Sequence, residues 1–334
     1  MAVIPRGHTA VEQPNFTAKG KYPMQRSTLY RALAVTVTAV VAATGAHLIA
    51  ECGTASSQPW AGSADQFTLA ADKSGHRWAS AASATITPGV QANTQGARPC
   101  TANYTFVDNV GNVYLGQAAH CAGTGIGDLQ DPNGCTADSL PLGTAVTFNR
   151  GGLLMLPGDV VGTGQLVYSS WLAMQRDGEQ DHNTCAYNDF ALVKIAAEDV
   201  DKVNPSVPYW GGPVGINTTG TGIGDHVYGY GNPSLQFGIA ELSPRTGQSN
   251  ADGLTTAGWT HAVTAPIPGI PGDSGSAFLD RNGYALGTLS TVGISLPIVN
   301  NIGDLSHELA YARAHSGISG LSLVLGTEPF DPNR

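Results

Sequence analysis

The sequence predicts an all-β, loop-rich fold with one helix near its C-terminus. Only 12% of the 334 residues are charged, whereas glycine (43) and proline (20) are abundant, a composition that suits strands and turns better than solvated helices. From about residue 86 the chain breaks into short apolar runs separated by Gly, Asn and Pro, the pattern of strands joined by turns. A single stretch, residues 304–315, carries helical periodicity.

Taken from the N-terminus, residues 1–46 read as an extension and a signal peptide. The apolar run 32–43 follows Arg26 and Arg31 and precedes the small residues Thr44-Gly45-Ala46, a possible cleavage site. Twelve residues fall short of the roughly 20 that a membrane span needs. Extending the run through His47 to Ala50 leaves an uncleaved anchor as the alternative. A start at Met24 would give a compact signal. Residues 48–52 are faintly similar to a lipoprotein cleavage box, but Glu51 stands where a small residue is expected before Cys52. Residues 47–85, rich in Ala, Ser and Gly, read as a flexible spacer or short propeptide, residues 86–325 as the folded domain, and residues 326–334 as a tail.

Within the domain, Tyr104-Thr105-Phe106-Val107 and Val113-Tyr114-Leu115 flank a polar turn and predict a hairpin. Strands are expected at residues 191–195, 225–231 and 284–290. For the helix, Asp304 is the expected N-cap, and Leu305, Leu309 and Ala312 share one face.

A net charge of −9 without a basic patch argues against a nucleic-acid partner. No glycine-rich phosphate loop or zinc-type His/Cys spacing appears, so no cofactor and no metal are expected.

Three local contexts carry chemistry. In Pro271-Gly272-Asp273-Ser274-Gly275-Ser276 a serine lies between glycines, suited to a nucleophile in a tight turn. In Gly116-Gln117-Ala118-Ala119-His120-Cys121 a histidine sits among small residues, suited to a general base. Asp189 opens the apolar run Phe190-Ala191-Leu192-Val193. Alone, each has an ordinary explanation: a polar turn, a satisfied buried histidine, a cap. Together they stand in the order His, Asp, Ser, which is neither the subtilisin nor the α/β-hydrolase order.

On these residues the chain resembles serine endopeptidases of the trypsin/chymotrypsin family, in the style of the secreted bacterial members, over about residues 86–325. The resemblance implies two antiparallel Greek-key β-barrels followed by a C-terminal helix, with the active site in the cleft between the barrels. It implies His120 as base, Asp189 as the acid that orients it, Ser274 as nucleophile, and the backbone amides of Gly272 and Ser274 as the oxyanion hole. It also implies disulfides Cys100–Cys121 and Cys135–Cys185, leaving Cys52 over, in an exported monomer acting on proteins or peptides. In relatives the acid before the nucleophile is buried and ion-paired; here that is Asp273, with Arg150 as a candidate partner.

The chain departs from the family pattern at several positions. Ser276 replaces a usual glycine, and Ile270 replaces a cysteine. Pro268 stands where trypsin-like enzymes carry an acid, which disfavours cleavage after Lys or Arg. Ser290 and Val292 fall on the expected pocket wall, and Val292 would narrow the pocket towards small or medium apolar side chains. Two other readings remain: an inactive binding or adhesion protein on the same scaffold, and an esterase. The esterase motif G-x-S-x-G fails at Ser276, and the histidines after the serine that it would need, His307 and His315, lie in the helix.

Overall fold

A computed structural model describes residues 75–125, 133–152, 156–232, 242–252, 256–293 and 298–334. The expectations for the signal segment, Met24 and Cys52 lie outside the described residues. Among the described residues, no helix is long and apolar enough to cross a membrane.

The described chain is built from two antiparallel β halves and a C-terminal helix. The first half contains β1 (Gln91–Thr94), β2 (Cys100–Thr101), β3 (Thr105–Val107), β4 (Val113–Gln117), β5 (Ala145–Arg150), β6 (Asp159–Ser169) and β7 (Ala191–Ile195). The second contains β8 (His226–Tyr230), β9 (Pro244–Asp252), β10 (Thr260–Thr264), β11 (Ala277–Asp280), β12 (Ala285–Val292) and β13 (Val299–Asp304). A last strand, β14 (Ser322–Leu323), returns to pair with β3. The second half closes as the ring β10-β13-β12-β11-β8-β9. The first is an eight-stranded sheet in the order β14-β3-β4-β7-β6-β5-β1-β2, a half-barrel whose two end strands are each only two residues long.

The expected hairpin is β3–β4, in the register Thr105↔Leu115 and Val107↔Val113. Its turn is organised by Asp108, whose carboxylate accepts from the amides of Val110 (3.0 Å) and Asn112 (2.8 Å) and from the Tyr114 hydroxyl (2.8 Å). A short side chain that bonds the backbone two to four residues on is what such a turn favours.

Three larger apolar clusters lie among the described residues. One lies within the first half, around Ile86, Leu115, Phe148, Leu166 and Trp171. A second fills the closed barrel with Val227, Val263, Phe278, Leu286, Leu289 and Ile302. The third joins the halves, setting Tyr104, Phe106, Phe190 and Leu192 against Ala277, Leu279, Leu305 and Leu309. Each large side chain so buried stabilises by about 1.5–3 kcal/mol. The Tyr104 hydroxyl also donates to the Phe278 carbonyl across this interface.

The C-terminal helix α3 is the third of the described helices. It spans Leu305–His315, starts at an Asp304 cap whose carboxylate accepts from the His307 amide at 2.9 Å, and buries Leu305, Leu309 and Ala312 as expected. Two short helices, α1 (Ser170–Asp177) and α2 (His182–Tyr187), were not expected. At eight and six residues they offer too few turns for a 3.6-residue period to stand out.

The folded region extends beyond residues 86–325. Ala79 donates to the Val203 carbonyl at 2.8 Å, so the expected spacer ends inside the fold. The expected tail is seated on the second half: Gly212 donates to the Glu328 carbonyl (3.0 Å), Asp331 donates to that of Trp210 (2.8 Å), and the Phe330 ring packs 5.4 Å from Tyr228.

Candidate active site

β4 ends at Gln117, and the chain tightens into a 3-10 turn over Ala119–Ala122. Ala118, Ala119 and Ala122 let this turn sit fully inside the protein, which places His120 in a buried position, 7% exposed. The next residue, Cys121, is joined to Cys100 on β2, and Cys135 is joined to Cys185 on α2, the two expected disulfides.

Asp189 lies between α2 and β7 and is 2% exposed. Three donors converge on its carboxylate. Oδ1 accepts from the His120 amide at 2.9 Å, while Oδ2 lies 2.6 Å from His120 Nδ1 and accepts from Ser290 Oγ at 2.6 Å. Burial alone would push this carboxyl up, but His120 and the Ser290 hydroxyl outweigh it and hold the group below its usual range. An ionised Asp189 makes Nδ1 the protonated nitrogen of His120, which leaves Nε2 as the basic one. Ser290, expected on the pocket wall, turns its hydroxyl to this acid.

Ser274 sits between β10 and β11, in a loop held by backbone geometry that only glycine adopts easily. Gly272 has φ +98° and Gly275 has φ +89°. A Cβ on Gly275 would lie 2.4 Å from the Thr101 carbonyl oxygen. The loop is pressed onto the first half: Thr101 donates its amide to the Ser274 carbonyl (2.8 Å) and its hydroxyl to that of Gly272 (2.9 Å). Ser274 and His120 border one cleft of about 260 Å³, together with Arg98, Pro99, Thr124 and Pro271. In the loop the Asp273 amide donates to the Ile270 carbonyl at 2.9 Å, whereas those of Gly272 and Ser274 donate to no acceptor among the described residues.

Asp273 is fully buried and pairs with Arg245 Nη2 at 2.6 Å, its carboxylate also accepting from the amides of Asn232 (3.1 Å) and Ile270 (2.9 Å). The expected partner, Arg150, is instead an exposed residue at the end of β5. The room for Arg245 comes from Gly231, where a Cβ would lie 2.4 Å from Nη2. Nothing local in Pro244-Arg245-Thr246 marks this arginine in the sequence.

Around the expected pocket, Pro268 is half-buried and Val292 stands in register with Asn300 across β12–β13. Asn300 Oδ1 accepts from the Gly269 amide at 2.9 Å. A Cβ on Gly269 would meet Leu289 Cδ2 at 2.6 Å, Asn300 Nδ2 at 3.4 Å and Arg245 Nη1 at 3.7 Å. Cys100, His120 and Cys121 bring ligand-type atoms within 4.8 Å of one another, but the disulfide leaves no thiolate for a metal.

No protein-family model matches the chain, and no curated protein does. Among solved structures, it is similar to Thermobifida fusca Protease A at 18% identity, over 72% of this chain and 99% of that one, with a TM-score of 0.43. It is also similar to Nocardiopsis protease (16% identity, 72% and 98% covered, TM-score 0.39) and to Cellulomonas bogoriensis chymotrypsin (16%, 72% and 98%, 0.39).

Proposed function

We propose that this chain is a serine endopeptidase of the trypsin/chymotrypsin family, cleaving peptide bonds through an acyl-enzyme. The observation that carries this is the grip of the Asp189 carboxylate on both the amide and Nδ1 of His120, beside a cleft that His120 shares with Ser274.

In this reading His120 Nε2 takes the proton from Ser274 Oγ as Oγ bonds to the substrate carbonyl carbon. Negative charge then builds on the carbonyl oxygen, and the Gly272 and Ser274 amides supply the donors for it. Removing one such donor costs about 3–4 kcal/mol of transition-state stabilisation. Collapse of the intermediate breaks the C–N bond, and the departing amine takes the proton from His120. Water attacks the acyl group by the same steps and regenerates Ser274. No cofactor enters this chemistry.

The primary specificity is not trypsin-like. Pro268 offers no carboxylate to pair with a lysine or arginine. Val292, where relatives commonly carry a glycine, narrows the pocket and favours small to medium apolar side chains. The apolar run 32–43 and the two disulfides support export, and we read the enzyme as a monomer acting on proteins or peptides.

Profiling a peptide library with wild type and Ser274→Ala tests this. Wild type cleaves after small or medium apolar residues, and the variant loses about 10⁶-fold in turnover. Cleavage retained by the variant would exclude Ser274 as nucleophile. Strong preference for Arg or Lys would overturn the pocket assignment alone.

A further inference from the structure

Behind the acid of the site lies a second carboxyl that the reaction does not use. Glu308, in the first turn of α3, has no exposed surface. Among the described residues no cation pairs with it. Its Oε2 accepts from Thr288 Oγ1 on β12 at 3.0 Å, and the same hydroxyl accepts from Asn103 Nδ2 at 3.2 Å. Asn103 belongs to the first half, where its Oδ1 takes the Tyr104 amide at 2.6 Å. Gly303 makes the space: a Cβ there would lie 2.3 Å from Glu308 Oε1. Two residues along β12 from Thr288, Ser290 donates its hydroxyl to Asp189 Oδ2 at 2.6 Å.

We propose that Glu308 is a positioning residue for the triad: its carboxyl anchors β12 at Thr288, two residues from the Ser290 that holds Asp189, and links that strand to Asn103 in the other half of the molecule. The inference rests on the protease assignment and adds to it a residue that touches neither substrate nor the reacting atoms.

Its charge state follows from its surroundings. The titratable groups facing it are Asp189 and Asp304, both acids, and the buried Tyr168 phenol on β6. On α1, Arg176 is engaged with Asp177 and the His315 carbonyl. The histidines nearby, His261 and His307, both contact Asp304. Burial first, and then the negative charge of Asp189, push Glu308 well above the usual carboxyl range, towards its neutral form. The neutral form adds no charge to this buried site, whereas a carboxylate there would be uncompensated.

The test compares Glu308→Gln and Glu308→Leu with wild type, using kcat and KM on a peptide anilide from about pH 5 to about pH 10. Near neutrality Glu308→Gln keeps wild-type kcat, while Glu308→Leu loses about 10- to 100-fold in kcat at nearly unchanged KM. The wild-type rate falls where Glu308 ionises, above the usual carboxyl range, and Glu308→Gln lacks that inflection. Equal kcat in Glu308→Leu and wild type, or a Glu308→Gln profile that loses activity as Glu308→Leu does, would overturn the proposal. Stability read by urea unfolding needs no activity. A raised folded pKa means that the wild type loses stability relative to Glu308→Gln as pH rises above about 4.3, up to the folded pKa. A gap that does not widen with pH removes the neutral-acid assignment. Wild type that unfolds as expected but shows no Ser274-dependent hydrolysis points instead to failure of the protease assignment, and the positioning role falls with it.

Discussion

Arg245 and Asp273 form an ion pair whose side chains are 1% and 0% exposed. A buried pair of this kind is held in place more by the cost of breaking it than by its own attraction. Arg245→Met strands the Asp273 carboxylate and is expected to destabilise by about 3–5 kcal/mol in urea unfolding. Arg245→Met with Asp273→Asn should recover part of that loss, because the uncompensated charge is gone. The residues proposed for catalysis stood out at this scale because such chemistry demands particular side chains in recognisable neighbourhoods: Ser274 between glycines, His120 among alanines. The residues that support them were not. Arg245 reaches Asp273 from 28 positions away, and Ser290 reaches Asp189 from 101. A polar residue inside a strand has no local pattern that names its distant partner.

Among the elements, α3 begins at a cap that does more than satisfy an amide. The Asp304 carboxylate takes the His307 amide at 2.9 Å and contacts His261 Nε2 (2.9 Å) and His307 Nδ1 (2.8 Å). Burial pushes this carboxyl up, but the two histidines overcome that and hold it below its usual range. A depressed folded pKa contributes stability above the unfolded value of about 3.9 and loses it as pH falls through the folded value. Asp304→Ala is therefore expected to cost about 3–5 kcal/mol at neutral pH. By contrast, Asp181→Ala removes the cap of α2, whose carboxylate takes the Thr184 amide at 2.8 Å near the surface, and should cost only about 1 kcal/mol. Thermal or urea unfolding of the two variants separates them. In the sequence, α3, β3, β4, β7 and β12 were visible because each pairs an apolar pattern with turn or cap residues. β9 was not: Pro-Arg-Thr-Gly-Gln-Ser-Asn-Ala-Asp carries almost no apolar signal, and its place comes from pairing with β8 and β10.

For the molecule as a whole, two covalent links divide their work. Cys100–Cys121 spans 21 positions and Cys135–Cys185 spans 50, so in the chain-entropy picture they stabilise by about 3 and about 4 kcal/mol. The shorter link ties the His120 turn to β2, and β2 carries Thr101, which seats the Ser274 loop. Replacing Cys100 and Cys121 by serine should thus lower kcat more than its stability loss explains. Replacing Cys135 and Cys185 should lower Tm mainly, and kcat with Tm measured on both variants checks this. The two-half layout was legible only through the family resemblance that the His, Asp and Ser contexts carry. The docking of residues 79–85 and 326–334 was not, because it rests on backbone hydrogen bonds and on Phe330 meeting Tyr228, which leave no periodic mark.

The most direct measurement is intact-mass analysis and peptide mapping after treatment with a fluorophosphonate, on wild type and His120→Ala. An imidazole held by Asp189 that activates one hydroxyl predicts a single adduct on Ser274 in wild type and little or none in His120→Ala. An adduct on another residue, or equal labelling of both proteins, would contradict the account.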